Sequence, residues 1–193
     1  KAADTSVTFG NTTDLTLEYA NFAPGEDASV LGSPGYATVT AGDISSLSPT
    51  TYTIFAQGAY GSNYIVTHVT GVLTVTKAAA TITIANSEQV YDGSGKSVTI
   101  TTDPAGLSSV VTYDGGTALP VDAGTYALQV DVNSDNYSGT ATGSLTITPA
   151  PVTFTIGSLS HIYDGSAKEA TVVSDPAGVA ATVTYDGGSD LPI

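Results

Sequence analysis

The 193-residue chain sets 18 carboxylates against four lysines, with no arginine, for a formal net charge of −14; nucleic acid and anionic membrane are excluded as partners, since both are held by clustered cations. It has no cysteine, so disulfides, thiol catalysis and thiolate metal sites are excluded together. No apolar run approaches the roughly 20 residues that span a bilayer, Lys1 stands where an initiator Met would, and with no visible signal peptide the chain reads as an internal segment.

Residues 1–77 read as a divergent first copy of the unit carried by residues 78–149. Tyr52 matches Tyr126, and Asn63-Tyr64 matches Asn136-Tyr137. Gly71-Val72-Leu73-Thr74-Val75-Thr76 matches Gly143-Ser144-Leu145-Thr146-Ile147-Thr148. This copy lacks a leading strand. The connector Thr76-Lys77-Ala78-Ala79-Ala80-Thr81 leaves almost no slack before the next copy.

Residues 78–149 form the complete copy. Ile82 and Ile84 alternate with Thr81 and Thr83, and Val98 and Ile100 with Thr99 and Thr101. Tyr126, Leu128, Val130 and Val132 alternate with polar or small residues, as do Leu145 and Ile147. Period two with Thr on the outer face predicts half-buried antiparallel strands. Asp92-Gly93, Pro104-Ala105-Gly106 and Asp114-Gly115-Gly116 are the turns between them, with Asp92 and Gly93 expected to form a tight hairpin. Asp122-Ala123-Gly124-Thr125-Tyr126 leads into the longest strand. Tyr126 there has the place of a tyrosine corner, its hydroxyl bonding back to the preceding backbone.

Residues 150–193 repeat the first part of that copy. Tyr163-Asp164-Gly165-Ser166, Asp175-Pro176-Ala177-Gly178 and Val183-Thr184-Tyr185-Asp186-Gly187-Gly188 each return at an offset of 72 residues. Across 77–121 and 149–193, 22 of 45 aligned positions are identical, so the two segments are copies of one unit. Strands are expected around Val152, Phe154 and Ile156, around Val172 and Val173, and around Val183 and Tyr185. The equivalents of 122–148 are missing, so this copy reads as truncated. Pro149 and Pro151 stiffen the connector before it. The expected fold class is all-β: tandem immunoglobulin-like antiparallel β-sandwich domains in a rod, the last copy incomplete.

The set Tyr-Asp-Gly-Ser, Lys, Asp-Pro-Ala-Gly, Thr-Tyr, Ala-Gly-Thr-Tyr, Asn-Tyr and Gly-Ser-Leu-Thr-Ile-Thr resembles the MBG domain, a mostly bacterial immunoglobulin-like repeat. The second copy carries every element and the third the first half. The first copy resembles a sister subtype through Phe9-Gly10-Asn11. The resemblance implies arrays within large secreted or cell-surface proteins, often adhesin-like, without enzymatic activity, cofactor or metal. The implied partners are neighbouring repeats of the same chain, with a glycan or host-surface protein as a further possibility.

The residues offer little chemistry of their own. His68 and His161 lie in different copies without convergent partners, and read as strand surface. The recurring Asp92-Gly93 and Asp164-Gly165 read as structural turns. Asp131-Val132-Asn133-Ser134-Asp135 has the opening spacing of a calcium loop, but Asn136 and Thr142 stand where that loop needs Gly and Glu. Lys96 and Lys168 read as solvated strand-edge lysines; an isopeptide bond is the minor alternative. The expected function is a stalk or spacer, whose length grows with copy number. The runner-up is a glycan- or protein-binding module acting through loops at one end, with Tyr60 and Tyr64 the exposed candidates.

Overall fold

A computed structural model describes residues 1–193. The chain is all-β, with short 3-10 turns at Ala28–Val30 and Ile44–Ser46 the only helical pieces. Repeat 1 contributes β1 (Thr5–Thr8), β2 (Tyr36–Val39), β3 (Thr51–Gln57) and β4 (Gly71–Thr76), in the sheet order β1-β4-β3-β2. Repeat 2 contributes β5 (Ala78–Ala79), β6 (Thr81–Ala85), β7 (Glu88–Val90), β8 (Thr99–Asp103), β9 (Ser109–Tyr113), β10 (Gly124–Val132), β11 (Tyr137–Ser138) and β12 (Thr140–Thr148). Its main sheet has the order β7-β12-β10-β9, the same topology as repeat 1, and β6 pairs with β8 separately.

The alternating residues account for the core of repeat 2. Along β10, Leu128 and Val130 are buried while Ala127 and Gln129 are exposed. Antiparallel pairing places Tyr126 opposite Leu145 on β12. Tyr113, Leu128, Leu145 and Ile147 form one buried cluster, and Ile84 from β6 and Val98 pack against it. The β6–β8 pair therefore covers one face of the four-stranded sheet, and period-two patterning becomes burial of one face per strand. In repeat 1, Val7, Ile54, Leu73 and Val75 are the equivalent cluster, joined by Ala2 and Leu47. Ala2 bridges Leu17 where β6 would stand.

Two expectations need correction. The pairing is not wholly antiparallel, because β1 runs parallel to β4 and β7 parallel to β12. Only Asn86 and Ser87 separate β6 from β7, and Asn86 takes φ 58°. The chain kinks from one sheet to the other and lies along the free edge of β12. The tight hairpin is also not at Asp92-Gly93, since the strands on either side of it belong to different sheets. It is at Asp114-Gly115, where φ is 49° and 81°. Tyr113 and Gly116 exchange N–H···O bonds of 2.7 and 2.9 Å around it, as a two-residue primed turn requires. The same turn recurs at Asp186-Gly187.

Repeat 3 contributes only β13 (Thr153–Gly157) and β14 (Thr171–Asp175), paired antiparallel. The expected strand at Val183 and Tyr185 is reduced to a bridge between Tyr185 and Gly188. Its counterpart β9 is held by β10, and residues 150–193 contain no equivalent of β10. No residue of repeat 3 is buried.

The Tyr126 hydroxyl donates to the carbonyl of Asp122 at 2.9 Å. Tyr52 makes the same bond to Ser48 at 3.0 Å. Tyr126→Phe keeps the ring and removes the bond, so repeat 2 should lose about 1 kcal/mol. An unchanged denaturant midpoint would show that the bond contributes nothing.

Candidate functional site

The recurring Asp-Gly-Ser-x-Lys segment builds a polar site twice. Asp92 follows β7, and its carboxylate accepts from the Ser94 N–H at 2.9 Å and from the Ser94 hydroxyl. This local turn brings Lys96 back, with Nζ 2.5 Å from Asp92 Oδ2. The Lys96 N–H donates to Pro120 O at 2.9 Å. In repeat 3, Lys168 Nζ lies 2.5 Å from Asp164 Oδ1, and Lys168 N donates to Pro192 O at 2.8 Å. Gly93 and Gly165 take φ 80° and 77°, which frees the chain to close each turn.

Lys96 is therefore not the solvated edge lysine its sequence suggested: it is only 9% exposed. Its aliphatic stem is covered while its ammonium reaches the exposed Asp92. The Lys96 ammonium, then the Ser94 hydroxyl and N–H, lower the Asp92 pKa far below its usual value. Lys168 does the same to Asp164. Asp92 is thus fully ionised at neutral pH, and a carboxylate is a poor electrophile for an amine. The contact is an ion pair.

A pKa lowered on folding gives stability that is present above the usual value of 3.8 and lost as pH falls below it. Repeat 2 should therefore lose thermal stability between pH 5 and pH 2. Asp92→Asn should remove the part of that loss owed to this pair. Identical acid profiles for parent and variant would show that the ion pair is energetically silent.

The remaining candidates do not converge. Asp131, at the end of β10, accepts from Gln129 Nε2 at 2.8 Å, and no three His, Cys, Asp or Glu side chains gather anywhere. His68 and His161 lie in exposed irregular segments, not on strands.

Two aromatic contacts were not foreseen. At the joint between repeats 1 and 2, Phe9 meets Tyr137 edge-on, with ring centres 5.5 Å apart. Lys77 Nζ donates across the same joint to Ser134 O at 2.6 Å, and Tyr137–Ser138 pairs with Ala78–Ala79. At the opposite pole of repeat 1, Tyr64, the counterpart of Tyr137, meets Phe22 of its own loop edge-on at 5.5 Å. The Tyr64 hydroxyl donates to Glu26 and accepts from the Ala23 N–H at 3.1 Å. Glu26 raises the Tyr64 pKa. A cavity of about 210 Å3 opens there, lined by Tyr19, Phe22, Leu31, Ala59, Tyr64 and His68. The recurrence of an aromatic at 9, 91 and 163 was the signal in the sequence that could have located the joint. Phe9 N and Tyr91 N donate to Thr76 O and Thr148 O at 2.8 and 2.9 Å, so the two positions are equivalent.

A model of the MBG domain matches residues 80–151 and 152–193, more than half of the chain. The chain belongs to the MBG domain family. Among curated proteins nothing matches it. The matched spans make repeats 2 and 3 successive MBG domains, and the Asp92–Lys96 and Asp164–Lys168 pairs recur between them as a structural element.

Proposed function

We propose that these MBG repeats are a stalk or spacer segment of a large bacterial secreted or cell-surface, adhesin-like protein, and that they catalyse no reaction. The joint between repeats 1 and 2 carries this reading. One residue, Lys77, separates β4 from β5, and the Phe9–Tyr137 contact adds about 0.5–1.5 kcal/mol to the docking of the two repeats. Short, buttressed joints in series convert copy number into length. The partners on this reading are neighbouring repeats of the same chain.

The chain lacks cysteine, so a single spin label can be placed at will on each of repeats 1 and 2. A stiff joint predicts one narrow distance distribution between the labels, broadened by Phe9→Ala. A broad distribution in the parent chain would reject the stalk reading.

A second reading, glycan or protein binding at one end, is favoured by the cavity at the pole of repeat 1. Tyr64 is partly buried there and occupied by Glu26, whereas Tyr60 is 64% exposed beside Gly32. A ligand held at that pole would leave the distance distribution across the joint unchanged, which separates the two readings.

A further inference from the structure

Repeat 3 reproduces half of repeat 2 in detail. The β13–β14 register, Thr153 opposite Asp175 through Gly157 opposite Thr171, is the β6–β8 register displaced by 72 residues. The internal bonds are copied too. Ala170 N donates to the Tyr185 hydroxyl at 2.8 Å, as Val98 N does to Tyr113 at 3.3 Å. Val179 N donates to Ser174 Oγ at 3.1 Å, as Leu107 N does to Thr102 Oγ1 at 3.2 Å. The Asp164–Lys168 pair and its Pro192 contact complete the match. The half-repeat is a formed surface with its own local bonds.

What differs is the cover. In repeat 2, Ile84 packs on Leu128, Leu145 and Ile147 of β10 and β12. The residue equivalent to Ile84 is Ile156, which is 53% exposed, and its neighbour Phe154 is 45% exposed. A second opening lies at the joint between repeats 2 and 3. Tyr91 stands where Phe9 stands in the first joint, but faces an open groove of about 310 Å3 against Pro149, Val152, Pro176 and Val179. Phe9 is met by Tyr137, which lies between β10 and β12 in the chain. One segment of the Gly124–Thr148 pattern would fill both openings, the face with its Leu and Ile and the groove with its Tyr.

We propose that residues 151–193 are a docking surface for a separate polypeptide carrying that pattern: two antiparallel strands with alternating apolar residues and an intervening Asn-Tyr. Docking extends the half-repeat by main-chain pairing, and side-chain alternation sets its specificity. Two polypeptides then share one repeat. A second copy of the chain is a poorer occupant, because lending its own β10 and β12 would uncover the core of its repeat 2.

The probe is a synthetic peptide with the sequence of residues 120–148, added to the full chain. At ten times its Kd it should slow amide exchange in Thr153–Gly157 and Thr171–Asp175 about tenfold, leaving repeat 2 unchanged. A peptide carrying Leu145→Asp and Ile147→Asp should give no protection, and Ile156→Asp in the chain should abolish binding of the parent peptide. The peptide variant leaves the acceptor intact, so loss of binding there is not misfolding of the chain. Absent protection, equal protection by the double-Asp peptide, or a chain already dimeric and protected through repeat 3 would each overturn the proposal.

Discussion

Titrated with denaturant, the chain should show protected cores in residues 1–77 and 78–149 and none in 150–193. In repeat 2, Tyr126, Leu128, Val130, Val132, Leu145 and Ile147 supply the inward faces of β10 and β12. Burying each contributes roughly 1.5–3 kcal/mol, so repeat 3 lacks about 10 kcal/mol of burial. A whole domain is stable by only about 5–15 kcal/mol. The β13–β14 pair alone cannot meet that deficit, since an isolated two-stranded pair is marginal in water. Amides of Thr153–Gly157 should exchange at nearly unprotected rates. Protection equal to that of Thr81–Ala85 would refute the expectation.

The second large effect is Leu145→Ala. Leu145 is fully buried, opposite Tyr126 and among Tyr113, Leu128 and Ile147. Truncation removes its transfer energy and leaves a cavity that β-sheet neighbours cannot easily close, a cost of about 3–5 kcal/mol. Repeat 2 should unfold at much lower denaturant while repeat 1 keeps its own transition. Val72→Ala, at a 45% exposed position on β4, should change stability by less than about 0.5 kcal/mol. A loss below about 1 kcal/mol for Leu145→Ala would mean that the β6–β8 pair does not close over this face.

The all-β class was legible because strand burial in this chain follows strict alternation. Leu128, Val130, Leu145 and Ile147 are inward at every second residue, with Thr, Gln or Ser between them. The repeat was legible because turn residues tolerate little change where φ is positive, as at Asp114-Gly115 and Asp186-Gly187. Strand direction was not legible, since alternation is the same whether β7 runs with β12 or against it. Nor was the burial of Lys96. A lysine reads as solvated until a turn four residues long folds Asp92 back onto it. Tyr60 was readable as exposed, but Tyr64 was not readable as tied to Phe22 and Glu26, because those residues lie about 40 positions away on a loop without periodicity.

The edge-on aromatic contact made between repeats by Phe9 and Tyr137 is made within repeat 1 by Phe22 and Tyr64. Under tension the two behave differently. A bend at Lys77 must first part Phe9 from Tyr137, so the load passes through side chains as well as the backbone. At the far pole Phe22 already holds Tyr64, and a polypeptide joined there has no ring to lean on. Force reaching that pole is carried by the main chain alone. Swapping one phenylalanine between a repeat and its own loop thus converts a bracket into a swivel.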